Sequence, residues 1–245
     1  MKKLIVTLGM IMLSEMPAMA STTFQLPASQ DDFKNFSRDL GLAISYDPLS
    51  PAEPLGGLLP GFDAGVELTA VSINKSASYW QNSVTNPSTL PNYLLLPKVH
   101  VQVGLPVIPL DFGVEFATVP GTDINVIGGE IKYAILSGGI VMPAVAIRGA
   151  YTKLSGVDVF GMETKSLDLS VSKGFFFLTP YAGLSEVWIT GTPTGPTATT
   201  LSQTNLSETK GFIGLKFSLL PFLNIVAEGD FSRVNAYSLR LNAHF

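Results

Sequence analysis

Charged and polar side chains in the body of this chain recur at even spacing, as in Asp63 and Glu67, Lys98, His100 and Gln102, Asp111 and Glu115, Glu130 and Lys132, Lys210 and Lys216, and Glu228 and Asp230. In extended backbone, even spacing puts side chains on one face. Arg148, Asp168 and Arg240 join the set, each with apolar residues on either side of it in sequence. Acids and bases gathered this way could do two things. They could pair as a buried salt-bridge network, or they could line a polar conduit or binding pocket for a small solute. Catalysis has less to recommend it: there is no nucleophile elbow, no metal-spaced histidine pair and no phosphate loop. The histidines are His100, deep in an apolar run, and His244, next to the carboxy-terminal residue. Neither a metal nor a cofactor is implied, and a hydrolase or acyltransferase reading would have to rest on His100.

Extended segments of about ten residues, separated by turn residues, must position these charges. They fall at about 62–74, 91–104, 109–118, 124–136, 140–152, 157–172, 175–189, 206–218, 222–232 and 235–245. Their alternation is regular: Phe62, Ala64, Val66 and Leu68 share one face, Asp63, Gly65, Glu67 and Thr69 the other. The same text returns in Leu110-Asp-Phe-Gly-Val-Glu-Phe116. One face suits hydrocarbon and the other an enclosed polar space, the alternation of a transmembrane barrel. A charge facing lipid near the midplane would cost on the order of 2–4 kcal/mol, and the central charges sort away from that face. The less clean Glu163, Lys165 and Glu186 are assigned outward. Connections after even-numbered segments should be short, and those after odd-numbered segments should include the long loops 75–91 and 190–205. Phe175, Phe176, Phe177, Phe222 and Phe245 are expected as one aromatic girdle, with Tyr79, Trp80, Tyr151 and Trp188 as the other.

The last residues carry a resemblance. Tyr237, Leu239, Leu241, Ala243 and Phe245 alternate with Ser238, Arg240, Asn242 and His244. An alternating terminal strand ending in Phe resembles the closing strand and assembly signal of Gram-negative outer-membrane β-barrels. The resemblance implies an antiparallel up-and-down barrel of about ten strands, eight or twelve being the alternatives. It also implies contact with outer-membrane lipid and recognition of Tyr237, Leu239, Leu241 and Phe245 by the barrel-assembly machinery.

Residues before the barrel differ. Met1 to Ala20 reads as an export signal, with Lys2 and Lys3 before an apolar run and Ala18-Met-Ala20 as the cleavage site. Residues 21–60 form a second unit and 61–245 the barrel. Ser29 and Asp32 make a capping-box-like start, and Phe33, Phe36 and Leu40 follow at helical spacing, predicting an amphipathic helix over 30–40 that Gly41 ends. Prolines 48, 51, 54 and 60 then forbid a regular ladder. This unit is expected at the periplasmic mouth or folded into the lumen as a plug, with an amphipathic helix lying on the membrane as the alternative.

Composition agrees with export and excludes some partners. The chain has no cysteine, so no disulfide framework. Its formal net charge is -4, without the clustered Lys and Arg that nucleic acid requires. Mean hydropathy is +0.34 with no apolar helix-length run after the signal, which suits a wall exposed to lipid. A narrow or plugged channel, or a solute-binding barrel, is therefore expected. A structural or surface-interaction barrel with a filled lumen is the alternative.

Overall fold

The structure is a computed structural model describing residues 24–119, 122–195, 198 and 200–245; the expected export signal lies outside the described residues. Ten strands close into one antiparallel barrel: β1 (Gly61–Ser72), β2 (Tyr93–Gly104), β3 (Leu110–Thr118), β4 (Asn125–Ser137), β5 (Ala144–Ser155), β6 (Phe160–Ser172), β7 (Leu178–Pro193), β8 (Thr204–Leu220), β9 (Leu223–Phe231) and β10 (Ala236–His244). Each pairs with its sequence neighbour, and β1 closes on β10 with Glu67 opposite Arg240. Closure leaves no free edge strand, so each strand is paired on both sides over the body of the barrel. Phe62 and Phe245 exchange backbone hydrogen bonds of 2.9 Å at the seam, and Tyr237 and Leu239 are exposed on the outer face.

Facing follows the alternation. Phe62, Val99, Phe112, Val114, Ile131, Leu169, Leu184, Ile213 and Leu239 are exposed outward, while the charged residues between them are buried inward. The barrel has a short-turn end, where β1 begins and β10 finishes, and a loop end that carries the connections 73–92 and 194–203. At the loop end the polarity reverses. There Lys153 pairs with Glu163 at 3.1 Å on the outside, and Glu186 accepts hydrogen bonds from Ser207 and Thr209. On the inside at that level stand Leu154, Phe160, Met162, Val187 and Ile189, all buried. The enclosed space is therefore not polar along its whole length: its loop-end portion is an apolar core.

That core is filled by helix α1 (Gln30–Ile44), which packs chiefly on β7, β8 and β6 and on the short helix α2 (Ser78–Gln81). Ser29 caps α1 by accepting from the Asp32 N–H at 3.1 Å. Phe33, Phe36 and Leu40 are buried among Val71, Trp80, Phe160 and Ile189, inside the barrel and away from any outer surface. Gly41 does not end the helix, which runs on to Ile44. A Cβ on Gly41 would lie 2.4 Å from Ile189 Cγ2, so the glycine permits close approach to β7 instead of making a turn.

Other differences have local causes. Trp80 is not in a girdle: it is buried, edge-on to Phe36 at 5.1 Å, and its indole donates to Asp39 at 3.1 Å. Tyr79 likewise turns inward to donate to Asp39 at 3.0 Å, whereas Tyr151 and Trp188 are exposed outward. The β4–β5 turn extends over 138–143, longer than the expected 137–139, because Gly138 takes φ +78° and Lys173 Nζ binds the carbonyls of Gly139, Ile140 and Met142. Ile140, Val141 and Met142 are thus an exposed apolar turn and not strand. Phe175, Phe176 and Phe177 form the next turn, which delays β7 to Leu178.

Gly41→Ala should loosen α1 against β7 by about 1–3 kcal/mol through overpacking, and Ile189→Ala should restore the seating. Protease protection of residues 24–57 in the folded barrel measures both.

Candidate functional site

Below α1 the chain continues as an extended segment, residues 45–57, down the bore to the short-turn end, with 45–52 wholly buried. Its prolines prevent ladder pairing with the wall, so its N–H and carbonyl groups would be stranded in a dry interior at about 1–3 kcal/mol each. Charged wall residues meet them in order along the segment. Lys210 Nζ donates to the Tyr46 carbonyl at 3.2 Å and to Asp47 Oδ1 at 3.0 Å. The Leu49 N–H donates to Glu228 at 3.1 Å, and Arg240 Nη1 donates to the Leu49 carbonyl at 3.1 Å. This pair holds Leu49 at φ 41°, a left-handed conformation that costs a leucine about 1–2 kcal/mol. Arg148 donates to Ser50 Oγ at 2.9 Å, and Lys132 to the carbonyls of Pro51 and Glu53 at 3.1 and 3.0 Å. The Ala52 N–H reaches Ser172 Oγ at 3.1 Å, and the Leu55 N–H reaches Asp111 at 3.0 Å. Past the wall, the Val107 N–H donates to the Gly57 carbonyl at 2.7 Å.

The same cations are held from behind by wall carboxylates. Lys98 lies 3.1 Å from Glu67 and 2.9 Å from Asp47; Lys132 lies 3.0 Å from Asp111. Arg148 lies 2.7 Å from Glu130 and 3.7 Å from Asp168, Lys210 lies 3.2 Å from Asp230, and Arg240 lies 3.0 Å from Glu67. Lys98, Lys132, Arg148, Lys210 and Arg240 thus each bridge a wall carboxylate to the central segment. Charge-assisted bonds of this kind are about twice as strong as neutral ones, so they suit a segment without a ladder.

The remaining residues singled out in the sequence are also placed. Asp63 is buried and accepts from Asn242; Glu115 lies 3.8 Å from Lys98. His100 Nε2 is 3.2 Å from the Tyr46 hydroxyl and 4.0 Å from Glu130, deep in the bore. Lys216 faces inward but is only half-buried and makes no ion pair among the described residues, because Thr179 opposite it lies near the short-turn mouth. Sequence reasoning missed the partners of these charges: Tyr46, Asp47, Leu49 and Ser50. The signal was a proline-rich run within a chain whose charges were already assigned to an interior.

A second cluster holds α1 at the loop end. Buried Asp39 accepts from Tyr79, Trp80 and, at 2.6 Å, Arg233 Nε. Partial burial, together with the Asp39 carboxylate, raises the Tyr79 phenol above its ordinary range. The hydrogen bond to Asp39 raises the Arg233 guanidinium.

No protein-family model and no curated protein matches the chain. Among solved structures it is similar to OmpT of Vibrio cholerae, an outer membrane protein solved with loop L8 deleted (12% identity, TM-score 0.34, 62% of this chain and 54% of that one). The chain therefore spans about half the length of that protein. It is also similar to the N-terminal β-barrel domain of Pseudomonas aeruginosa OprF (16% identity, TM-score 0.32, 75% and 97% covered). Neisserial surface protein A is a third similar structure (7% identity, TM-score 0.31, 76% and 95% covered). The closed ten-stranded sheet, its apolar exterior and its charged bore define the class: this is an antiparallel up-and-down β-barrel with the facing pattern of a transmembrane barrel.

Asp47→Ala leaves Lys98 without a central partner and strips Lys210 of its central carboxylate, leaving it the Tyr46 carbonyl and Ser45 Oγ, and should destabilise the folded barrel by about 3–5 kcal/mol. Urea unfolding in detergent, followed by heat-modifiable gel mobility, measures the loss.

Proposed function

We propose that the chain is an outer-membrane barrel closed in this state, whose bore passes a small solute only when residues 24–57 move aside. A single observation carries this reading: the five cations deep in the bore, Lys98, Lys132, Arg148, Lys210 and Arg240, are each committed to the central segment as well as to the wall, leaving Lys216 near the short-turn mouth outside the network. Such a bore has no free polar lane while the segment is in place. With the segment displaced, wall carboxylates outnumber wall cations, so the opened bore favours cations.

In this proposal the short-turn end faces the periplasm and the loop end the exterior. Export uses the cleaved signal at 1–20, and Phe245 with Tyr237, Leu239 and Leu241 presents the terminal strand to the assembly machinery. Displacement is a non-covalent change, because the segment is continuous with the wall only through the short-turn end at Gly61. The second reading is a barrel that never opens and works through its loop end. The apolar packing of α1 at that end favours it.

The chain lacks cysteine, so a lock can be added cleanly: a Cβ on Gly191 would lie 3.1 Å from Ser37 Cβ, close enough to cross-link after a small adjustment. The Ser37→Cys, Gly191→Cys variant, recorded in planar bilayers, should open under reducing conditions with a preference for cations and fall silent on oxidation. Silence in both conditions would replace this reading with the second.

A further inference from the structure

Between the last turn of α1 and the loop-end wall lies a partly enclosed cavity of about 40 Å³, bounded chiefly by Leu40, Ile44, Leu94, Leu96, Val126 and Leu154. A water needs roughly 10–15 Å³ of such space and two or more polar partners to settle. Space is ample here, and among the described residues no free polar side chain faces it. The polar side chain at its edge is Thr122, whose hydroxyl already donates to the Val119 carbonyl at 2.8 Å and accepts from the Ile124 N–H at 3.2 Å. Apolar cavities without polar partners stay dry and accept apolar guests.

Three features mark the void as more than a packing fault. It lies between two separate bodies, the inserted helix and the barrel wall, so its size depends on how α1 is seated. It sits where the bore is apolar, on the loop-end side of the charged layer. Phe24 covers it: its backbone bridges to Val84 of the 73–92 loop, and its ring packs against Phe36 at 5.8 Å and Phe160 at 5.5 Å.

We propose that this cavity is a binding site for a small, uncharged, apolar molecule, held between α1 and β2, β4 and β5. The void as it stands takes a guest of xenon size, and a larger hydrocarbon requires Leu40 to give way. Binding here needs no opening of the bore, so it stands or falls separately from the gating described for residues 24–57.

Crystals of the full-length protein under xenon pressure test the site. A xenon peak is expected in the cavity, and it should vanish in Leu154→Phe, which fills the space. Leu40→Ala enlarges the cavity and should bind benzene at least tenfold more tightly than the parent, read in lipid nanodiscs as a ligand-dependent rise in Tm beyond that of Leu154→Phe. Should Leu154→Phe fail to fold, the parent's xenon peak and the Leu40→Ala comparison with the parent remain decisive. An absent xenon peak in the parent, a peak that persists in folded Leu154→Phe, or no gain in Leu40→Ala would overturn the assignment.

Discussion

A peptide segment without a ladder, sealed inside a closed sheet, has to find hydrogen-bond partners among side chains, and this requirement organises the bore. Backbone groups of 46–55 meet Lys210, Glu228, Arg240, Lys132, Ser172 and Asp111 in succession. Cations are well fitted to the carbonyls and carboxylates to the N–H groups, because neither needs a matching strand register. The wall must then neutralise its own cations, which explains why each of the five also touches a wall carboxylate. The result is a layered assembly of wall acid, bridging base and central backbone.

The solvent outside the wall decides which material lies inside. Where Leu169, Leu184 and Ile213 form the apolar exterior, the period-two alternation sends Asp168, Lys210 and Arg148 into the bore. Where Lys153, Glu163 and Glu186 face outward, the same alternation sends Leu154, Met162 and Val187 inward. Strands β5 to β8 cross both zones without changing their facing; only the residue types on each face are exchanged. Helix α1 therefore has an apolar chamber to occupy, and the polar segment after it has a charged one.

Much of the wall could be read from the chain directly. Strand number, facing and the inward charges depend on local alternation, which survives any error of a few residues in strand ends. Where apolar residues occupy turns, as at Ile140 to Met142 and Phe175 to Phe177, hydrophobicity alone extended the strands too far. Trp80 and Gly41 misled for a shared reason. An aromatic near a strand end and a glycine after a helical stripe have standard local meanings, yet here each answers to a distant neighbour, Asp39 for one and Ile189 for the other.

Period-two patterning, the terminal Tyr237 to Phe245 strand and the inward sorting of charge determined a barrel with an apolar exterior and a charged interior, because side-chain direction in a strand is fixed by geometry within two residues. The sequence could not say what those charges were for. Lys132 meets Pro51 and Arg240 meets Leu49 only after the sheet has closed around a segment far away in the chain. Such pairings have no sequence period, since they arise from how one body is seated inside another.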